Sequence, residues 1–199
     1  MTFRTRRLLA ARMLASLMAV AVLAGCSSAT QADETTGGFV AGDGSISVPK
    51  VSERKPAPQL SGETLDGRQV SLADFTGRTV VVNVWGSWCA DCRVEAPAFA
   101  ALDEELGDDV QFLGINIRDS RAAAQAYDEN FGITYPSIYD DTGQAVLGFR
   151  DSLPSMAVPT TWVIAPDGTV AARMLGAVSE STLRGLIEDA GRGPGGTDG

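Results

Sequence analysis

The sequence predicts an α/β domain over residues 55–190, with a central mixed sheet and helices on both faces. Three observations predict it. Thr79–Trp85 reads Thr-Val-Val-Val-Asn-Val-Trp, a β-branched run suited to a strand buried on both sides. Residues 92–106 follow with Phe99, Leu102 and Leu106 at helical spacing. Strands and helices then alternate as far as Phe131, after which a hairpin and a helix close the domain.

The elements follow in chain order. Residues 59–72 carry Asp66-Gly67 between two short extended pieces, a hairpin signal. After the buried strand and the helix comes a second apolar strand, Val110–Ile117. Arg121–Phe131 is a helix that Gly132 ends. Thr160–Ile164 and residues 169–175 are strands joined by the turn tripeptide Pro166-Asp167-Gly168. Residues 179–190 form the last helix, with Ser179 as N-cap. Asp140-Asp141 beside Thr142-Gly143 allows a calcium reading, but a turn explains the four residues better.

The flanks read differently. Arg4, Arg6 and Arg7 precede a run of apolar and small residues, 13–25, which is too short for a membrane span and suits an export signal. Residues 1–25 are therefore read as a signal peptide. The Arg6-Arg7 pair faintly resembles a twin-arginine signal. Leu23-Ala24-Gly25-Cys26 resembles a bacterial lipobox, which implies cleavage before Cys26 and lipid on its sulfur; an ordinary secretory peptide with a chance cysteine is the alternative. Residues 26–54 are rich in Ser, Thr, Gly and Asp and read as a flexible tether, and Gly42-Asp43-Gly44 lacks the strand and helix a phosphate loop needs. Residues 191–199 read as a disordered Gly-rich tail.

Composition narrows the chemistry. The chain has 199 residues, 44% apolar and 21% charged, which is enough for one ordinary domain with a core. Its net charge is −9, and loss of residues 1–25 removes four arginines and no acid, bringing it to −13. So acidic a surface argues against nucleic acid and anionic headgroups as partners. There is no histidine and there are three cysteines, so neither a His-dependent nucleophile nor a zinc site can be assembled. No metal or other cofactor is expected beyond a redox-active disulfide.

That disulfide is expected between Cys89 and Cys92. The Cys89-Ala90-Asp91-Cys92 motif stands where the buried strand ends and a helix begins, in a chain with an export signal. Free N–H groups and the positive end of the helix dipole stabilise a thiolate there, and the thiolate is the attacking species. Cys89, at the exposed turn, is expected to attack; Cys92, one turn on, resolves the mixed disulfide. A merely structural bridge over so short a loop would constrain the unfolded chain little.

Residues 82–97, Val-Asn-Val-Trp-Gly-Ser-Trp-Cys-Ala-Asp-Cys-Arg-Val-Glu-Ala-Pro, resemble the TlpA/ResA-type thioredoxin-like oxidoreductases. The likeness extends from about Pro56 to Ala190 and includes residues 72–77, residues 132–136 in the family's central insertion, and Val158-Pro159-Thr160. It implies a thioredoxin-like fold with an N-terminal β-hairpin and a central insertion. It also implies a cis Pro159 facing the cysteine turn, with the Val158 backbone holding the substrate chain extended. Asp91 departs from the family, which usually has proline there. Glu95 heads the buried stripe of the helix, three residues after Cys92, where partial desolvation raises a carboxyl pKa and suits it to exchange protons with Cys92. The family carries an acid there, thought to serve that role; a Glu95 that reaches solvent or pairs with an arginine is the alternative. Pro97 is expected to kink the helix. Trp88 reads equally as a platform for substrate and as core packing.

The leading expectation is a protein disulfide oxidoreductase, lipid-anchored at the extracytoplasmic face of the cell membrane. It would exchange electrons with exported protein thiols and disulfides and with a membrane electron donor or acceptor. The resemblance favours a reductase, with cytochrome c maturation as one setting. Alternatives are a disulfide-forming oxidase, a peroxidase, a copper-delivering lipoprotein and a redox-dead binding module. Val82 and Gly86 stand where the peroxidase pattern has Pro and Thr, and the copper carriers' CxxxC and distal His are absent.

Overall fold

The computed structural model describes residues 39–42, 44–155 and 157–192. The expected signal peptide 1–25, Cys26 with its expected lipid, and residues 193–199 of the expected tail lie outside the described residues. Nine strands and three α-helices follow one another among those described. They are β1 Phe39–Gly42, β2 Gly44–Ser47, β3 Ser61–Glu63, β4 Gln69–Ser71, β5 Thr79–Trp85, α1 Ala90–Leu106, β6 Val110–Ile117, α2 Arg121–Phe131, β7 Ser137–Asp140, β8 Thr160–Ile164, β9 Val170–Leu175 and α3 Glu180–Gly191.

Seven strands form one mixed sheet in the order β1-β2-β9-β8-β5-β6-β7, and β3 pairs with β4 in a separate hairpin. β5, β6 and β7 are mutually parallel neighbours, while β8, β9, β2 and β1 add antiparallel on the other side. All seven residues of β5 are buried, as its unbroken apolar run requires of a central strand. Its side chains alternate between faces. Val81 joins Phe99 and Leu102 of α1 and Leu183 and Ile187 of α3 in one core. Val80, Val82 and Val84 join Leu113, Ile115, Phe149 and Trp162 in the other. That second core is covered by non-α segments, with Leu72 and Phe75 from one 3-10 helix (Leu72–Phe75) and Phe149 from another (Ala145–Asp151).

Local signals placed most boundaries. Ser120 and Ser179 cap α2 and α3 by accepting the N–H of Ala123 and Thr182. Gly132 ends α2 in the left-handed conformation, φ 69°. The Asp140 carboxylate accepts the N–H groups of Gln144 and Ala145 and the Thr142 hydroxyl, so the Asp140–Gly143 segment is a turn. Among the described residues no cluster of three metal-ligating side chains occurs.

Two features differ from the sequence reading. β7 was not expected; it has four residues and takes its pairing from β6 through the α2 crossover. Residues 39–42 and 44–47, read as part of the tether, pair with each other as β1 and β2, and β2 pairs with β9. A two-stranded hairpin is marginal alone, and the sheet edge supplies what composition could not show. Gly114 on β6 permits a close approach: an added Cβ would strike the Ser137 hydroxyl and lie 2.8 Å from Trp85 Nε1.

Candidate active site

The site is built where β5 runs out. Gly86, Ser87 and Trp88 form a turn, closed by Cys89 N–H donating to the Gly86 carbonyl at 3.0 Å, and Cys89 is the N-cap of α1. The Cys89 sulfur accepts the Cys92 N–H at 3.1 Å, so one unpaired donor of the first helical turn points at the first sulfur. Cys89 and Cys92 are joined in a disulfide, with Cα atoms 5.3 Å apart. Cys92 is 1% exposed and Cys89 only 5%. The turn was expected to expose Cys89; instead Trp85, Ala96 and Val158 pack in the same cluster as the disulfide. The exposed side chain beside it is Trp88, at 52%.

Trp88 is partly exposed and partly packed. Its indole N–H donates to the Ile117 carbonyl at 3.3 Å, and its ring lies over Gly86, where an added Cβ would meet Nε1 at 2.5 Å. Val158–Pro159 is a cis peptide, Pro159 is buried, and Gly176 N–H donates to its carbonyl at 2.9 Å. Val158 packs against the cluster that holds the two cysteines. No hydrogen bond to another described residue engages the Val158 N–H or carbonyl.

Behind Cys92 lies a buried polar group. Glu95 is 3% exposed and neither reaches solvent nor pairs with an arginine. Its Oε1 accepts from Asn83 Nδ2 at 2.9 Å and its Oε2 from the Val178 N–H at 3.2 Å, while Asn83 also donates to the Thr161 hydroxyl. Burial pushes the Glu95 carboxyl up to about 8; the two donated bonds oppose the rise and the nearby Asp91 charge adds to it. Asp91 itself is exposed in the first turn of α1.

Two supports of the site were not singled out from sequence. Asp119 accepts the Ser87 N–H at 2.6 Å and the Ser87 hydroxyl at 2.8 Å, pinning the turn before Trp88 to the end of β6. Burial pushes its carboxyl up, but bonds from Ser87, Asn116 and Ser120 outweigh that and hold it below the usual carboxylate range. Asp119 precedes the N-cap Ser120 and has no separate local signature. The Tyr127 hydroxyl donates to the Cys92 carbonyl at 2.7 Å, and its ring stacks on Trp85 at 4.5 Å. The sequence reading placed Tyr127 on the Arg121–Phe131 helix and gave it no part in the site. Arg93 adds a further clamp, donating to the Ser87 carbonyl.

A mixed sheet with a disulfide-forming CxxC at the N-terminus of the helix that follows its central strand, beside a cis X-Pro, defines a thioredoxin-like thiol-disulfide oxidoreductase. Comparisons with known proteins agree. The AhpC/TSA family profile matches residues 54–173, and the chain belongs to that family. It is 31% identical over 134 residues to the thiol-disulfide oxidoreductase ResA of Bacillus subtilis, covering 67% of this chain and 73% of ResA. A DsbF homologue from Corynebacterium diphtheriae superposes with a TM-score of 0.69 at 36% identity, covering 78% of this chain and 99% of that one. A secreted thiol-disulfide isomerase from Corynebacterium glutamicum gives a TM-score of 0.69 at 32% identity, covering 78% and 97%.

The Glu95 environment makes stability depend on pH. Between its ordinary value of 4.5 and about 8, the folded oxidised protein keeps the Glu95 proton while the unfolded chain releases it. Folding therefore weakens as pH rises through that window, by at most about 1.4 kcal/mol per pH unit, and the contribution levels off above it. Glu95→Gln should remove this slope. It should also cost about 1–3 kcal/mol at low pH, because the amide turns an N–H toward a donor. Urea unfolding at a series of pH values checks both; a slope unchanged in the variant would assign the pH dependence elsewhere.

Proposed function

We propose that this protein is an extracytoplasmic, lipid-anchored reductase of disulfides in exported proteins. The observation that carries the chemistry is the Cys92 N–H aimed at the Cys89 sulfur at the head of α1, with the Glu95 carboxyl buried one turn further on. In the reduced protein, helix N–H groups stabilise a Cys89 thiolate. The thiolate attacks one sulfur of a substrate disulfide, forming a mixed disulfide and expelling the other sulfur as a thiolate that takes up a proton. Glu95, left as a carboxylate once its own proton has passed to that departing thiolate, takes the proton of Cys92, which attacks the Cys89 sulfur. The second substrate thiol leaves, taking a proton, and the Cys89–Cys92 disulfide remains. Two electrons have passed to the substrate, and a membrane electron donor must return two. The cysteine pair itself carries the electrons, so the reading calls for no other cofactor.

Substrate binding follows from the Val158 backbone beside the disulfide, which no other described residue bonds: an extended segment adds there as a strand, with Trp88 as its apolar neighbour. The lipobox-like sequence ending in Cys26 supports an anchored location, and the resemblance to TlpA/ResA-type proteins supports exported substrates, apocytochrome c among them. Asp91 supports the reductive direction. A negative charge in the first turn opposes the Cys89 thiolate, destabilises the reduced form and favours the disulfide.

Three experiments test this reading. A Cys92→Ser variant should accumulate mixed disulfides with its partners and Cys89→Ser few; non-reducing electrophoresis shows which, and the reverse pattern would exchange the two roles. The reduction potential should lie nearer about −270 mV than about −120 mV, and Asp91→Pro should raise it and lower the Cys89 pKa. A wild-type potential near the higher value would instead support a disulfide-forming oxidase. The mature protein should partition with membranes and Cys26→Ser should not; a wild-type protein found wholly in the soluble fraction would refute the anchor.

A further inference from the structure

Arg173 is the one buried arginine of the described core, 8% exposed in the middle of β9. Its register partners are Trp162 on β8 and Ser47 on β2, so its side chain leaves the sheet on the same face as that of Trp162. It has no carboxylate partner among the described residues. Its Nη1 donates to the Pro154 carbonyl at 2.8 Å, and its buried Nε meets no acceptor among the described residues. A buried guanidinium with an unmet donor is costly, and an apolar side chain of similar length would fill the position at no such cost.

The use of this cation is visible in what lies beside it. The Trp162 indole N–H donates to the Leu153 carbonyl at 2.7 Å, and its ring stacks on Phe149 at 3.8 Å. Two side chains that are neighbours across the sheet therefore hold two successive carbonyls, those of residues 153 and 154. Lys55 Nζ donates to the Asp151 carbonyl at 3.0 Å and the Thr160 hydroxyl to the Ala157 carbonyl at 2.6 Å. Side chains thus bond the backbone carbonyls of residues 151, 153, 154 and 157, and Val158, which follows, has no backbone hydrogen bond to another described residue.

We infer that Arg173 is a positioning residue for substrate binding: with Trp162 it fixes the segment that presents the Val158 backbone edge to an incoming extended chain. The inference rests on the proposed function, since it concerns how that site binds a polypeptide. Among the described residues Arg173 hydrogen-bonds the Pro154 carbonyl, and it is not in the cluster that holds the two cysteines. Its loss should therefore loosen the binding edge and leave the redox centre as it was.

The test is reduction of a synthetic peptide containing an intramolecular disulfide by Arg173→Met and Arg173→Lys, with thermal unfolding and the Cys89–Cys92 potential measured alongside. Arg173→Met should raise KM for the peptide about tenfold, the size of one charge-assisted hydrogen bond, with kcat at saturation within about twofold of wild type. Its potential should match wild type and its Tm should not fall. Arg173→Lys, which keeps a cationic donor, should recover part of the loss. An unchanged KM in Arg173→Met overturns the inference, as does a parallel fall of kcat and Tm, which would make Arg173 purely structural. A wild-type protein that reduces a small disulfide such as hydroxyethyl disulfide but not the peptide would overturn it while sparing the redox reading. Failure on both substrates would sink the functional reading and this inference with it.

Discussion

The Cys92 amide hydrogen points at the Cys89 sulfur, and the rest of the site exists to keep it pointing there. A helix can offer that hydrogen only where its first turn begins, so the chain must leave β5, turn once and start α1 without slack. The turn is held by Cys89 on Gly86, by Asp119 on Ser87, by Arg93 on the Ser87 carbonyl and by Trp88 on Gly86. The first turn of α1 is held from the other side by Tyr127 on the Cys92 carbonyl. The seven buried residues of β5 supply the fixed base from which all of these are measured. Such a base is rigid because its neighbours fill both faces at close packing.

Glu95 places a second constraint on the same helix. A carboxyl in the interior must either be neutral or find donors, and here two donors meet it, Asn83 from β5 and the Val178 N–H from the segment before α3. The group is thus tied to the central strand and to the end of the fold at once. Residues nearly a hundred positions apart in sequence share in setting its proton affinity. Asn83 is central to this arrangement because it also donates to Thr161 and cannot turn away without leaving a buried hydroxyl unmatched.

The parts legible in the sequence were those whose cause is local. β5, β6 and α2 fall where an apolar run, a capping serine and a terminal glycine put them. Cys89 and Cys92 were legible for the same reason, since a CxxC at a strand-to-helix junction carries its own chemistry. The burial of Glu95 followed from helix spacing; its partners did not, because Asn83 and Val178 come to it through tertiary packing. β7 and the β1–β2 hairpin escaped notice because each is too short to declare itself and is held by a neighbouring strand. Asp119 and Tyr127 escaped because their roles are contacts made across the fold, to Ser87 and to the Cys92 carbonyl, that leave no local pattern around them.

The hairpin has an effect at the rim of the molecule. With β1 and β2 added beyond β9, the described sheet is bounded on one side by β1 and on the other by β7, each four residues long. Short edges give a foreign strand little backbone to grip and so discourage chain-to-chain adhesion. Both outer edges of the described sheet are brief, whereas the Val158 backbone beside the disulfide bonds no other described residue, so the rims offer a foreign strand less purchase than that spot.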